Sequence, residues 1–153
     1  MRDNAGPQRL GESEIQEIIK PRMVSFFNNT GATLAFGNAV IIDVAQAAIA
    51  SKGVPAFACI KLAPAVAADA RKIRGGVAAD IPDQQFGLVQ VAGVMVDANV
   101  ITGTAADEHL IGSVTTAGRL IVATYGAGEV LVALNLALAA SNKSTVLWRC
   151  AGI

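Results

Sequence analysis

The feature that most limits what this chain can fold into is its punctuation. From Met23 onward, Gly, Asn, Asp and Pro recur so often that apolar runs stay only a few residues long. Runs of that length suit β-strands, whereas helices need ten or more residues on a 3.6-residue period. Met23 to Phe27 reads as a strand, and Asn28-Asn29-Thr30-Gly31 as the turn after it. Further strands are expected at Ala39 to Val44, Ala56 to Leu62, Gly76 to Ala79 and Gly87 to Ala92. Met95-Val96, Val100-Ile101, Leu120 to Thr124 and Thr145 to Cys150 complete the set. Period-2 alternation puts Val89 and Val91 on one face with Gln90 on the other, and sends Trp148 and Arg149 to opposite sides. The fold class is therefore mainly β, a compact β-barrel or β-sandwich-like domain with a short N-terminal arm.

Two kinds of segment resist that reading. The Ala-rich stretches Val44 to Ala50 and Ala63 to Ala70 have helical propensity, but Pro55 and Pro64 limit any helix, and one short helix or coil is expected near 45–51. Val130 to Leu138 reads equally well as helix or strand. The N-terminal arm, residues 1–22, precedes the β-rich domain of residues 23–153. Within the arm, Ser13 and Gln16 have capping-box spacing, Ile15, Ile18 and Ile19 share one helical face, and Pro21 stops the helix. Two turns do not persist alone in water. The isoleucine stripe is thus an expected interface, on the domain, a neighbouring copy or a larger partner.

The chain echoes itself. Gly87-Leu88-Val89-Gln90-Val91-Ala92-Gly93-Val94 matches Val146 to Ile153 at an offset of 59, and Gly76-Val77-Ala78-Ala79 resembles Leu131 to Leu134 at 55. Gly37-Asn38-Ala39-Val40-Ile41 echoes Asp107-Glu108-His109-Leu110-Ile111. Two repeated β units would close one core, since neither buries its apolar face alone. On that reading 130–138 is largely strand.

Composition bears on the core and on partners. Ala, Val and Gly supply 29, 16 and 15 of the 153 residues, so the core is built from small side chains. At this length it suffices without disulfides or metal. Twelve basic and twelve acidic residues cancel, which removes the electrostatic case for nucleic acid. The one basic cluster, Arg71, Lys72 and Arg74 before a Gly-Gly turn, reads as a solvated loop. No run reaches the 18 apolar residues of a membrane span, and the polar N-terminus has no apolar signal core. Cys59 and Cys150 sit in apolar runs and read as two buried thiols in preference to a bridge.

Candidate chemistry is sparse. Asp107-Glu108-His109 is the only local concentration of titratable groups, and its turn-like flanks favour a solvated loop. His109 is the only histidine, and no elbow motif sets a serine against it. Tyr125-Gly126-Ala127-Gly128 lacks the lysine and helix start of a phosphate loop. No catalytic, cofactor-binding or metal-binding residue is expected, and no enzyme. Phe26, Phe27, Phe36, Phe57 and Phe86 form no base-stacking ladder, and most are expected in the core. Tyr125 reads as a rim or subunit-interface residue.

Several stretches resemble the capsid decoration, or cement, proteins of tailed bacteriophages. They are Asn29-Thr30-Gly31-Ala32-Thr33-Leu34 with Gly37-Asn38-Ala39-Val40, Gly76-Val77-Ala78, Phe86 to Gly93, Thr116-Ala117-Gly118-Arg119-Leu120, and Val146 to Gly152. The family's Asp/Glu-Gly turns depart at Asn38 and Glu108, and residues 1–27 lie outside the resemblance. What the resemblance implies is a β-rich domain made in the host cytoplasm and bound to the outer face of an icosahedral shell in the virion. There a homotrimer would bridge neighbouring major capsid protein subunits, with no cofactor. A non-catalytic β-domain of the head-tail connector, tail or fibre apparatus is the alternative.

Overall fold

Apolar runs between turn residues become strands in the computed structural model, which describes residues 20–123 and 132–149. In chain order the strands are β1 (Arg22–Asn28), β2 (Ala39–Ile42), β3 (Cys59–Leu62), β4 (Gly75–Val77) and β5 (Phe86–Asn99). They continue with β6 (His109–Gly112), β7 (Leu120–Val122), β8 (Ala133–Asn135) and β9 (Lys143–Arg149). All nine join one mixed sheet in the order β1-β3-β2-β4-β5-β9-β8-β6-β7, and β1 also pairs with β5. The β1–β3 pairing is parallel and the others between strands are antiparallel. The chain is thus a mainly-β domain, as the punctuation predicts.

The Ala-rich stretches form no α-helix. Short 3-10 turns occupy Ala50–Lys52, Ala56–Ala58 and Ala67–Asp69. The strand expected to begin at Ala56 therefore starts only at Cys59. β2 stops at Ile42 because Asp43 turns the chain, its carboxylate accepting from the Ala45 amide at 3.3 Å, and Val44 is left 90% exposed. The ambiguous 130–138 stretch contains β8 and no helix among its described residues.

The largest departure from expectation is β5. The sequence suggests two short strands, Gly87 to Ala92 and Met95-Val96; the structure has one of fourteen residues. β5 pairs with β1 along its first half and with β9 along its second, with Ala92 opposite both Arg22 and Arg149. A register shift between Met95 and Ala98 marks a bulge, where Asp97 takes φ +60 and Val96 stands exposed. Gly37 approaches this bulge at φ +81, where a Cβ would lie 2.7 Å from the Asp97 carbonyl oxygen. Gln90 is buried as well as Val89 and Val91, which corrects the assignment of Gln90 to an outer face. Its amide stays satisfied by donating to the Ala92 and Val94 carbonyls at 3.2 and 2.9 Å.

The two halves repeat each other's pairings. Val40↔Leu62 between β2 and β3 has its counterpart in Leu110↔Val122 between β6 and β7. Ala39↔Gly76 corresponds to His109↔Leu134, and Val77↔Val89 to Asn135↔Val146. Val24↔Val89, joining β1 to early β5, corresponds to Met95↔Val146, joining late β5 to β9. The parallel bridge Val100↔Leu120 stands where β1 and β3 pair in parallel. Loop bonds follow suit: Gly37 donates to Val77 as Asp107 donates to Asn135, and Arg74 to Val40 as Val132 to Leu110. β5 therefore serves both halves, closing the first and opening the second.

One buried cluster crosses the boundary between halves, including Phe26, Val40, Ile60, Val89, Leu110, Leu120, Val146 and Trp148. Trp148 is 1% exposed and donates its Nε1–H to the Met95 sulfur at 3.3 Å. Its ring occupies the space over Gly76, where a Cβ would lie 2.7 Å from Cζ2. Arg149 is exposed, so the expected opposition of these neighbours holds.

Candidate interaction surface

Chemistry-bearing side chains do not converge among the described residues. Asp107 and Glu108 lie in the turn before β6, with Asp107 exposed as expected, whereas His109 departs from the solvated-loop reading. His109 begins β6 and is half-buried, while the backbone of all three is held by β8 and Ala123: Asp107 donates to Asn135, Asn135 to Glu108, and Ala123 to His109. Asp107 sits at φ +64 and is exposed. Among the described residues no group of three or more His, Cys, Asp or Glu could hold a metal ion. Cys59 is a buried free thiol, and burial, then the Asp43 charge, raises its pKa above the ordinary 9.0. Lys61, two residues on, ion-pairs with Asp43 at 3.2 Å.

The basic cluster splits. Arg71 and Lys72 are exposed, and Lys72 bonds Asp69 at 2.8 Å. Arg74 departs from the solvated-loop reading. It sits just before β4, half-buried, lining a cleft of about 290 Å³ with Val24, Ser25, Phe26, Ile42, Phe57 and Ala58. Its Nε is buried and has no hydrogen-bond partner. An unsatisfied guanidinium nitrogen among apolar side chains carries a desolvation cost that a bound acceptor would offset. Phe57, 72% exposed, stands at this cleft.

A second feature lies across β1 and β5. Ser25 faces Leu88 and Phe27 faces Phe86 across the antiparallel pair, with Met23 diagonal to Leu88. Met23, Leu88 and Phe86 are all large and at least 41% exposed, making a continuous apolar strip. Phe27 continues the strip inward, edge-on to Phe86 at 5.1 Å between ring centroids. Only Phe26 and Phe27 of the five phenylalanines are buried; Phe36, Phe57 and Phe86 face solvent, so the expectation that most pack in the core fails. Short-range alternation contains the signal for Phe86 and Leu88, since both fall opposite buried Val89 in phase. Nothing in the sequence singles out Arg74 from Arg71 and Lys72.

The expected interface residues Ile15, Ile18, Ile19 and Tyr125 lie outside the described residues, as does Cys150. No helix among the described residues is long and apolar enough to cross a membrane. No protein-family model and no curated protein matches the chain.

Proposed function

We propose that this chain is a structural virion protein that binds the outer surface of a phage capsid and bridges major capsid protein subunits. The observation that carries the reading is the strip of Met23, Leu88 and Phe86 on the outer face of β1 and β5. An exposed apolar strip on a strand pair, away from any convergence of titratable groups, suits a protein partner better than a substrate. Zero net charge fits a protein surface rather than the genome, and the sequence resemblance supplies the capsid. Many weak copies of such a contact, repeated with the symmetry of a shell, give firm attachment without strong individual sites.

For the architecture, the corresponding pairings of the two halves favour a tandem duplication, each unit a small barrel in which β1, or late β5, meets both its neighbours. A homotrimer would then present six such units. The test is co-sedimentation with heads assembled without the protein. Wild-type chain is expected to pellet with heads and raise their thermal resistance; Leu88→Asp is expected to stay in the supernatant while keeping its own melting temperature. Equal pelleting of both proteins would remove the strip from the interface. Binding confined to isolated connectors or tails would favour a head-tail connector, tail or fibre component.

A further inference from the structure

We infer that the Arg74 cleft receives the N-terminal isoleucine stripe of a second copy of this chain. The cleft is apolar along Val24, Phe26, Ile42 and Phe57, and its one charged group, Arg74, holds a buried Nε without a hydrogen-bond partner. An occupant that fits it brings apolar side chains with a carboxylate beside them. The chain carries such a segment: Ile15, Ile18 and Ile19 fall on one helical face, and Glu14, four residues before Ile18, flanks that face. Glu17 falls on the far side of the same helical projection, which singles out Glu14 as the partner of Arg74.

The cleft belongs to a different copy for a topological reason. β1 is itself a wall of the cleft, and Arg22 is already paired with Ala92. Only Lys20 and Pro21 separate the stripe from that pairing. An arm of the same chain would have to reverse within those two residues, one of them Pro21, to lie back along Val24 to Phe26. An arm from another copy approaches from solvent and needs no reversal. None of Met23, Leu88 and Phe86 lines the cleft, so self-association leaves the strip open.

The inference rests on the homo-oligomer named above, and the experiment separates it from capsid attachment. Light scattering of the full chain over a concentration series is expected to show self-association that Arg74→Glu weakens by about tenfold, and that adding Glu14→Arg restores to within about threefold. Phe57→Ser, at a solvent-exposed position, is expected to weaken association with the melting temperature unchanged. Mixing Ile18→Cys chains with Phe57→Cys chains, each also carrying Cys150→Ser, is expected to trap a disulfide between chains. A chain that stays monomeric, association indifferent to both Arg74→Glu and Phe57→Ser, or a disulfide formed only when one chain carries both cysteines, would overturn the inference. A monomer that still pellets with heads overturns it and leaves the capsid reading in place. Association through the cleft without head binding supports it and removes the capsid.

Discussion

The two halves of the sheet share their pairings and differ in what fills them. At corresponding places the first half has Gly76, Val91, Val77, Arg74 and Asp43, and the second has Leu134, Trp148, Asn135, Val132 and Ser113. Backbone hydrogen bonding thus sets a frame that tolerates opposite side chains, provided the volumes are redistributed. Gly76 and Trp148 illustrate this: the largest side chain of the second half occupies space the first half leaves empty. The halves are consequently not independent, and each fills a gap in the other.

The sharpest way to break the comparison is at that pair. Trp148→Ala should lower stability by about 3–5 kcal/mol, read as a shift in denaturant midpoint, because the cavity forms inside the shared core. Gly76→Leu installs the residue of the second half and should also destabilise, since its Cβ alone would meet the indole at 2.7 Å. Combining Gly76→Leu with Trp148→Val exchanges both residues for their counterparts. The double variant should be more stable than the separate Gly76→Leu and Trp148→Val losses add up to, by about 1 kcal/mol or more. Strict additivity would show that the halves pack separately.

Asn135 is the next largest difference. Where the first half has Val77, the second buries an amide whose Nδ2 donates to the Thr104, Ala105 and Ala137 carbonyls at 3.2, 2.6 and 2.6 Å. The first half organises its own loop from a different place, with Asn28 donating to Ala32 and Ile81 and accepting from Thr30. Asn135→Val should cost about 1–3 kcal/mol by stranding those carbonyls, and should speed amide exchange near Thr104 first. A neutral result would make Val77 and Asn135 interchangeable and the loops self-supporting.

These pairs also show what was readable beforehand. The echo of Gly37 to Ile41 in Asp107 to Ile111 is in register, because turn residues mark the start of both β2 and β6. The match of Val89 to Trp148 is two residues out: the pairings set Val89 against Val146. A slip of two keeps every side chain on its own face, so alternation cannot detect it. The match of Gly76 to Leu131 is three residues out, Gly76 corresponding to Leu134, and there the face inverts. Gly76 to Ala79 consists of small residues without alternation, so no pattern was available to fix its phase. Gln90 was misplaced because Val89, Gln90 and Val91 are all buried, so both faces of β5 are covered there, which a polar residue alone does not announce. Arg74 could not be separated from Arg71 and Lys72, since only the docking of β4 turns it towards Phe26 and Phe57.

Cys59 offers a comparison through pH. Its counterpart is Arg119, as the matched bonds Asp43 to Cys59 and Ser113 to Arg119 show, so only the first half buries a thiol here. Burial and then the Asp43 charge raise its pKa above 9.0 in the folded chain. The folded state therefore keeps a proton that the unfolded state loses, and this contribution is complete below the unfolded value and falls away as pH rises from there towards the folded value. Stability measured by urea titration should decline above pH 9 in wild type, and that part of the decline should vanish in Cys59→Val. Identical slopes in both proteins would assign the alkaline loss to other groups.

The smallest expected effect is at Arg74, and its size is what makes it informative. Replacing it with Val, the residue at the corresponding position of the second half, removes a buried guanidinium nitrogen with no hydrogen-bond partner and adds an apolar side chain to an apolar cleft. The loss of aliphatic stem packing and the relief of desolvation oppose each other. Arg74→Val should therefore change the stability of the monomeric domain by less than about 1 kcal/mol, in either direction. Retaining an arginine there gives the fold little, whereas Val132 shows that the frame accepts an aliphatic residue at the same station. A loss well above that figure would mean that Arg74 supports its own half directly, and the two halves would then differ in stability rather than in what they can bind.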